Sequence, residues 1–163
     1  MRSIPALAAA ALLLAPAAGL AATPAADAPL GLVVTGSVAG GGEFGLSQGK
    51  SGVVELEGTV GYELALGLRP EFGLAVGFEP DTNLAVRPGL RWSVPALPLQ
   101  LRMALDASNS RGGWKWRWFM LGAATELRFT SVFGLFVEVD TGVPFSSRSG
   151  VPLLIRGGAS FRL

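Results

Sequence analysis

After about residue 30, hydrophobic residues recur at every second position through most of the chain. Successive side chains of a β-strand point to opposite faces, so this period of two predicts strands, whereas a helix would show a period of about 3.6 residues. The clearest stretch spans 53–69, where one parity is apolar and the other carries three glutamates. Eight segments have this pattern, at about 30–41, 52–68, 71–79, 83–94, 97–107, 116–129, 132–140 and 153–163.

The number and spacing of these segments predict a closed barrel, because an even number of antiparallel strands is typical of bacterial outer-membrane barrels. The gaps at 42–51, 80–82, 108–115 and 141–152 are mostly long and polar, whereas Arg69-Pro70, Pro95-Ala96 and Thr130-Ser131 are tight. Long loops at one end and tight turns at the other are also typical of that class. We therefore predict an all-β fold, an eight-stranded antiparallel up-and-down transmembrane β-barrel.

The polar parity of these segments combines small residues with acids and arginines in nearly balanced number. Arginine suits bidentate pairing in partly desolvated surroundings, so we expect these side chains to form a charge network inside the barrel. The predicted members are Glu55, Glu57, Glu63, Arg87, Arg91, Arg102, Asp106, Glu126, Arg128, Glu138, Asp140, Arg156 and Arg162. A soluble periplasmic lipocalin-like binding barrel would show the same alternation with its faces exchanged, and it stands as an alternative.

The stretch WKWRW at 114–118 alternates indole rings and cations. Continuing the parity of the sixth segment places Lys115 and Arg117 outside as contacts for lipid phosphate, with the tryptophans turned inward. A β-bulge near Trp118 would exchange the faces and make the tryptophans an interfacial girdle. A second bulge is expected at Pro88, which cannot donate to a strand ladder. The predicted interface aromatics are Trp92, Phe119, Phe129 and Phe161.

The first 21 residues have the pattern of a secretory signal peptide. A positive start at Arg2 precedes an unbroken apolar stretch at 6–14, and small residues at Gly19 and Ala21 suit cleavage after position 21. A retained membrane helix over 4–22 is the alternative; Pro16 and the alanine-rich composition weigh against it. We expect a signal peptide at 1–21, a short flexible leader at 22–29 and a barrel domain at 30–163.

Composition limits the functions open to the chain. Its net charge of +1 is too small for a nucleic-acid binder, and the absence of cysteine and histidine removes disulfides, thiolate metal sites and the commonest general base. Ser146, Ser147 and Ser149 lack such a base, so we predict no catalytic residue, metal or cofactor. The expected function is a non-enzymatic barrel, structural or surface-interacting, with a lumen filled by side chains. A narrow pore for ions or small solutes is the alternative.

The final segment, LLIRGGASFRL, resembles the C-terminal insertion signal of the small eight-stranded outer-membrane barrels of the OmpA/OmpX type. The signal peptide, the eight segments and the alternating gap lengths extend that resemblance over the mature chain. It departs in ending on Leu163, with its aromatic residue two positions earlier at Phe161. The resemblance implies a monomer in the outer membrane of a Gram-negative-type envelope. Its partners would be the insertion machinery and outer-membrane lipids, including lipopolysaccharide.

Overall fold

The computed structural model describes residues 31–45, 49–79, 82–109, 113–146 and 150–163. Their strands are β1 (Gly31–Gly45), β2 (Gly49–Glu63), β3 (Leu68–Glu79), β4 (Asn83–Ser93), β5 (Gln100–Asn109), β6 (Trp114–Arg128), β7 (Phe133–Pro144) and β8 (Val151–Arg162). Each strand pairs antiparallel with its neighbours, and β8 pairs with β1, so the sheet closes. The predicted up-and-down barrel is confirmed. The signal peptide and the leader predicted for 1–29 lie outside the described residues.

The alternating sequence produces two different faces. In β7, for example, Glu138 and Asp140 are buried inside the barrel, whereas Val137 and Val139 are exposed outside it. The outer wall, by which we mean the outward-facing side chains of all eight strands, is apolar around the barrel, as hydrocarbon surroundings require. A lipocalin-like barrel needs the opposite arrangement, so the charged interior contradicts that alternative. No described residue belongs to a helix long and apolar enough to cross a membrane.

The two ends of the barrel differ less in loop length than predicted. The terminal end carries the start of β1, the end of β8 and the turns 64–67, 94–99 and 129–132. The distal end carries the other connections, which are three to six residues long, against four to six at the terminal end. The predicted asymmetry is wrong because strands continue into segments for which the sequence pattern predicts loops. β1 runs on through glycines to Gly45, and β6 already begins at Trp114.

The first tight turn lies earlier than predicted. It occupies 64–67, where Leu66 (φ 65°) and Gly67 (φ 71°) adopt the left-handed conformation and the Leu64 amide donates to the Leu68 carbonyl at 2.7 Å. The prediction placed this turn at Arg69-Pro70, because proline usually ends a strand. Pro70 instead lies in β3 opposite Leu90 of β4.

The bulges also differ from the prediction at Pro88. The β3–β4 register continues without a shift through Phe72↔Pro88, so the expected bulge is absent there. One observed bulge lies between β5 and β6, where Asp106 pairs with Trp118 but Ala107 pairs with Trp116. Arg117 is therefore the extra residue on β6.

Candidate functional site

The centre of the lumen is organised by Arg87, which β4 projects inward and which is 2% exposed. Its guanidinium donates to both carboxylate oxygens of Glu55 at 2.6 and 2.8 Å, and to Glu57 at 2.5 Å. Its Nε donates to Asp106 Oδ1 at 2.7 Å. One arginine thus holds three carboxylates that come from β2 and β5.

A second layer joins Arg102 of β5 to acids from three other strands. Arg102 pairs with Glu57 of β2, with Glu71 of β3 at 2.7 Å and with Glu138 of β7 at 3.2 Å. Arg91 of β4 contacts two of the same acids, Glu138 at 2.6 Å and Glu71 at 3.1 Å. These pairs cross the lumen and join strands β2, β3, β4, β5 and β7.

Arg156 of β8 completes the centre from the opposite wall. It lies 2.9 Å from Glu55, 2.8 Å from Glu57 and 2.9 Å from Asp140. Glu57 therefore receives three arginines, which come from β4, β5 and β8. Since Arg156 is 1% exposed, this cluster has the burial of a protein core.

A further cluster fills the terminal end around Glu126. Arg162 binds both of its carboxylate oxygens, at 2.9 and 2.7 Å, and Ser160 donates to the same group. The Gln100 amide donates to Glu126 at 2.9 Å, and Arg128 lies 3.4 Å away at the partly open edge. Every lumen residue predicted from the polar parity takes part in an ion pair of these clusters or in the Glu63 pair described next.

Sequence analysis missed Arg69 and Glu71. Both are buried in the lumen, and Arg69 lies 3.6 Å from Glu63 and 3.5 Å from Glu71. The sequence does not indicate them because Pro70 predicts a turn, and residues beside a turn fall outside the predicted strands. The parity of β3 could have identified Glu71, since it shares a face with the buried Gly73 and Ala75.

Small residues provide the space that these side chains occupy. A Cβ atom on Gly73 would lie 2.8 Å from Glu57 Oε1, and one on Gly134 would lie 2.8 Å from Glu126 Oε1. A Cβ atom on Gly122 would overlap the carboxylate of Asp140. The glycines of the polar parity are therefore part of the packing of the charge network.

At the distal end, a clasp formed by Glu43, Arg117, Trp118 and Gly150 covers the lumen. The Arg117 guanidinium lies 3.9 Å above the Trp118 ring and donates to Glu43 Oε2 at 3.1 Å. Glu43 Oε1 accepts from the Gly150 amide at 2.6 Å, and the Trp118 indole donates to the Gly150 carbonyl at 2.8 Å. The clasp thus joins β1, β6 and the connection before β8.

The clasp corrects the prediction for 114–118. Arg117 points across the mouth of the barrel and not outward. The bulge interrupts the alternation of inward and outward side chains on β6, which the prediction assumed to continue from Phe119 to Lys115. Lys115, which is exposed, lies opposite the buried Ser108 and so does not belong to the outer parity either. Of the tryptophans, Trp118 is buried inside as first predicted. Trp114 and Trp116 have the opposite parity and are exposed, as the bulge alternative expects.

Beneath the clasp lies a cavity of about 20 Å³. Glu55, Arg87, Asp106, Arg117 and Trp118 are among its lining residues. Asp106 Oδ2 is buried there without a hydrogen-bond partner in the protein. The cavity has the size of about one water molecule and is too small for a hydrated ion.

The predicted interface aromatics lie towards both ends of the barrel. Trp92, Phe129 and Phe161 are exposed at the terminal end, where Phe133 lies between the last two with ring centroids 5.9 and 5.3 Å away. Phe119 is half-buried and pairs with Val143, the residue before the last of β7, so it lies towards the distal end.

The chemistry available in the described lumen is that of paired charges. Each lumen carboxylate lies within 4.0 Å of at least one arginine nitrogen, and no group of three or more acids among the described residues is placed to hold a metal ion. The acids thus serve as partners for guanidinium groups and do not line an open cleft.

A closed antiparallel barrel of eight strands with a charged interior and an apolar wall defines a small transmembrane β-barrel. The resemblance to small outer-membrane barrels is confirmed at the level of the fold by solved structures. The N-terminal β-barrel domain of Pseudomonas aeruginosa OprF is 14% identical, with a TM-score of 0.57 over 83% of this chain and 100% of that chain. Neisserial surface protein A is 12% identical, with a TM-score of 0.58 over 81% and 97%.

A barrel from the de novo design of transmembrane β-barrels is also similar, with 16% identity and a TM-score of 0.55 over 83% of this chain and 97% of that chain. Neither a protein-family model nor a curated protein sequence matches the chain. At these identities the likeness concerns the fold alone.

Proposed function

We propose that the protein is a non-enzymatic integral outer-membrane barrel whose filled lumen does not conduct, and that it serves a structural or surface-interaction role. The observation that carries this proposal is the central cluster of Arg87, Arg102 and Arg156, which bridges acids from four strands while almost fully buried. The signal peptide predicted at 1–21 supports export, and the apolar outer wall supports insertion in a membrane.

The charge network supports a closed lumen for an energetic reason. An ion crossing the barrel would have to displace guanidinium–carboxylate pairs, and a buried charge that loses its partner is strongly destabilised. The pairs also form a nearly continuous series from Glu126 at the terminal end to the clasp at the distal end. A narrow pore would need a water-filled path through this series of ion pairs.

We expect the refolded protein to show no steady single-channel current in planar lipid bilayers. The matched comparison is a variant with Arg102→Ala and Glu138→Ala, which removes a cation and an acid together and shortens both side chains. This variant should conduct if the clusters are what blocks the lumen. Steady current through the unmodified barrel would contradict the proposal and favour the pore.

We further propose that Lys115 contacts lipid phosphate, including that of lipopolysaccharide, and that Arg117 takes no part in this contact. Lys115 is exposed at the distal mouth. Its side chain starts from the inner parity, but its long flexible stem can bend over the edge of the barrel to lipid headgroups. Arg117 is engaged with Glu43.

Replacing Lys115 with alanine should weaken lipopolysaccharide binding by about fivefold, since one cation near an anionic surface contributes about 1 kcal/mol. Binding can be measured by titrating lipopolysaccharide onto the detergent-folded barrel. Arg117→Ala is the matched control and should leave the affinity unchanged. Equal losses in both variants would show that Arg117 contributes as much as Lys115, and an unchanged affinity in Lys115→Ala would overturn the proposal.

A further inference from the structure

The terminal end carries an unusual set of exposed apolar side chains. Its three turns, LALG at 64–67, VPALPL at 94–99 and FTSV at 129–132, contain no charged residue. We call their exposed apolar side chains, together with the last residue of the chain, the apolar rim. Its members are Leu64, Leu66, Leu97, Phe129, Val132 and Leu163. Leu66 is 83% exposed and Leu163 is 77% exposed, so packing within the barrel does not explain them.

The backbone conformation of the turns does not explain these residues either. Leu66 has φ 65° and Ala96 has φ 62°, both in the left-handed region that favours glycine, asparagine or aspartate. A polar residue at either position would suit the backbone better and would also suit water. The presence of leucine at the tip of the first turn therefore indicates apolar surroundings.

Several backbone amides in and beside the turns have hydrogen-bond partners within the protein. Val94 donates to the Leu99 carbonyl at 2.8 Å, and Phe129 donates to the Phe133 carbonyl at 3.1 Å. The Leu163 amide donates to the Leu32 carbonyl at 2.8 Å. Pro95 and Pro98 have no amide hydrogen to satisfy. Backbone donors that already have partners are a requirement for immersion in lipid but not for exposure to water.

The distal end also exposes apolar side chains, among them Trp114 and Trp116, but it differs in carrying charged residues beside them. Lys115 is exposed there, and Glu43 and Arg117 meet across the mouth. The sequence of its connections adds Asp81, Arg111 and Arg148. Charges that can hold one end of a barrel in water are therefore concentrated at the distal end, whereas the described residues of the terminal turns offer none.

We propose that the apolar rim is immersed in the membrane itself, at the boundary between acyl chains and headgroups, instead of projecting into water. The occupant is lipid because the rim continues the outer wall. Leu64, the first residue of its turn, is exposed like Tyr62 near the end of β2, and Phe133 links Phe129 to Phe161. This inference rests on the proposed membrane location and adds that the barrel sits asymmetrically, with its terminal end drawn into one leaflet.

Single-cysteine labelling can test the depth of the rim, because the chain contains no cysteine. Leu66→Cys and Leu97→Cys, on separate turns, are labelled with an environment-sensitive fluorophore and refolded into phosphatidylcholine vesicles. Val139→Cys on the outer wall and Thr82→Cys at the exposed distal end are the controls. Heat-dependent gel mobility shows which variants have folded. Quenching is then measured with acyl-chain-brominated phosphatidylcholine and with aqueous iodide.

We expect the two rim positions to be quenched by brominated lipid and to be several-fold less sensitive to iodide than Thr82→Cys. Rim positions as sensitive to iodide as Thr82→Cys would overturn the inference. Protection from both quenchers would also overturn it, since protein and not lipid would then cover the rim. Lipid quenching at Val139→Cys is a separate result: its absence would overturn the membrane location as well.

Discussion

Replacing Arg87 with methionine should lower the free energy of unfolding of the barrel by about 3–5 kcal/mol, the usual effect of removing one partner from a buried ion pair. The volume of the side chain is largely kept, but Glu55, Glu57 and Asp106 lose the guanidinium that they share. Arg156 still contacts the two glutamates, whereas Asp106 has no other arginine within 4.0 Å among the ion pairs of the described residues. Urea titration of the barrel in vesicles, followed by gel mobility, measures the change.

Arg128→Met is the matched control for this prediction. Arg128 has a side chain that is 21% exposed, and among the described residues its one ion pair is with Glu126 at 3.4 Å, so its removal should cost no more than about 1 kcal/mol. Adding Asp106→Asn to Arg87→Met should recover part of the loss, because it removes the carboxylate left unpaired. Equal effects at positions 87 and 128 would show that the central cluster has no special stabilising role.

Placing an arginine on the outer wall at Val139 should destabilise the barrel in lipid by about 2–4 kcal/mol, as expected for a charge near the middle of a bilayer. Val139 lies at the seventh of the twelve positions of β7 and faces outward. Val143→Arg, near the distal end of the same strand, is the control and should cost only about 0–1 kcal/mol. The measurement is again urea unfolding in vesicles.

The two arginine variants also test the environment of the wall. On a soluble barrel, an outward arginine away from any special contact would change stability by less than about 0.5 kcal/mol at either position. The stability of the variants in water is not a useful comparison, because a membrane barrel does not stay folded without lipid or detergent. The informative contrast is therefore between positions 139 and 143 in the same vesicles, and equal values there would contradict lipid contact.

The alternating pattern was sufficient to predict the eight strands and their inner faces, because a closed barrel leaves each strand with one polar and one apolar side. Glu55 and Glu57 illustrate this well: the parity alone assigns them to the interior, where the structure places them. The partners of each acid could not be predicted. They depend on the stagger between strands, which brings Arg156 of β8 to Glu57 of β2 although the two are far apart in the chain.

The errors arose where backbone conformation departs from a regular strand. The bulge at Arg117 leaves no mark in the sequence, because indole and cation alternate evenly on both sides of it. The turn at 64–67 was hidden by leucines that continue the apolar parity, while Pro70 gave a misleading signal for a turn. Glu43 and Gly150 lie in segments that were assigned to loops, so the clasp could not be expected from strand parity.

The three arginines that meet at Glu57 come from β4, β5 and β8, and so they converge only when the first and last strands have joined. A partly assembled sheet in lipid would expose these ions to hydrocarbon without their partners, at a high energetic penalty. Intermediates with an open seam should therefore be sparsely populated. The interior electrostatics thus make assembly strongly cooperative, with the joining of β1 to β8 as the step that neutralises the core.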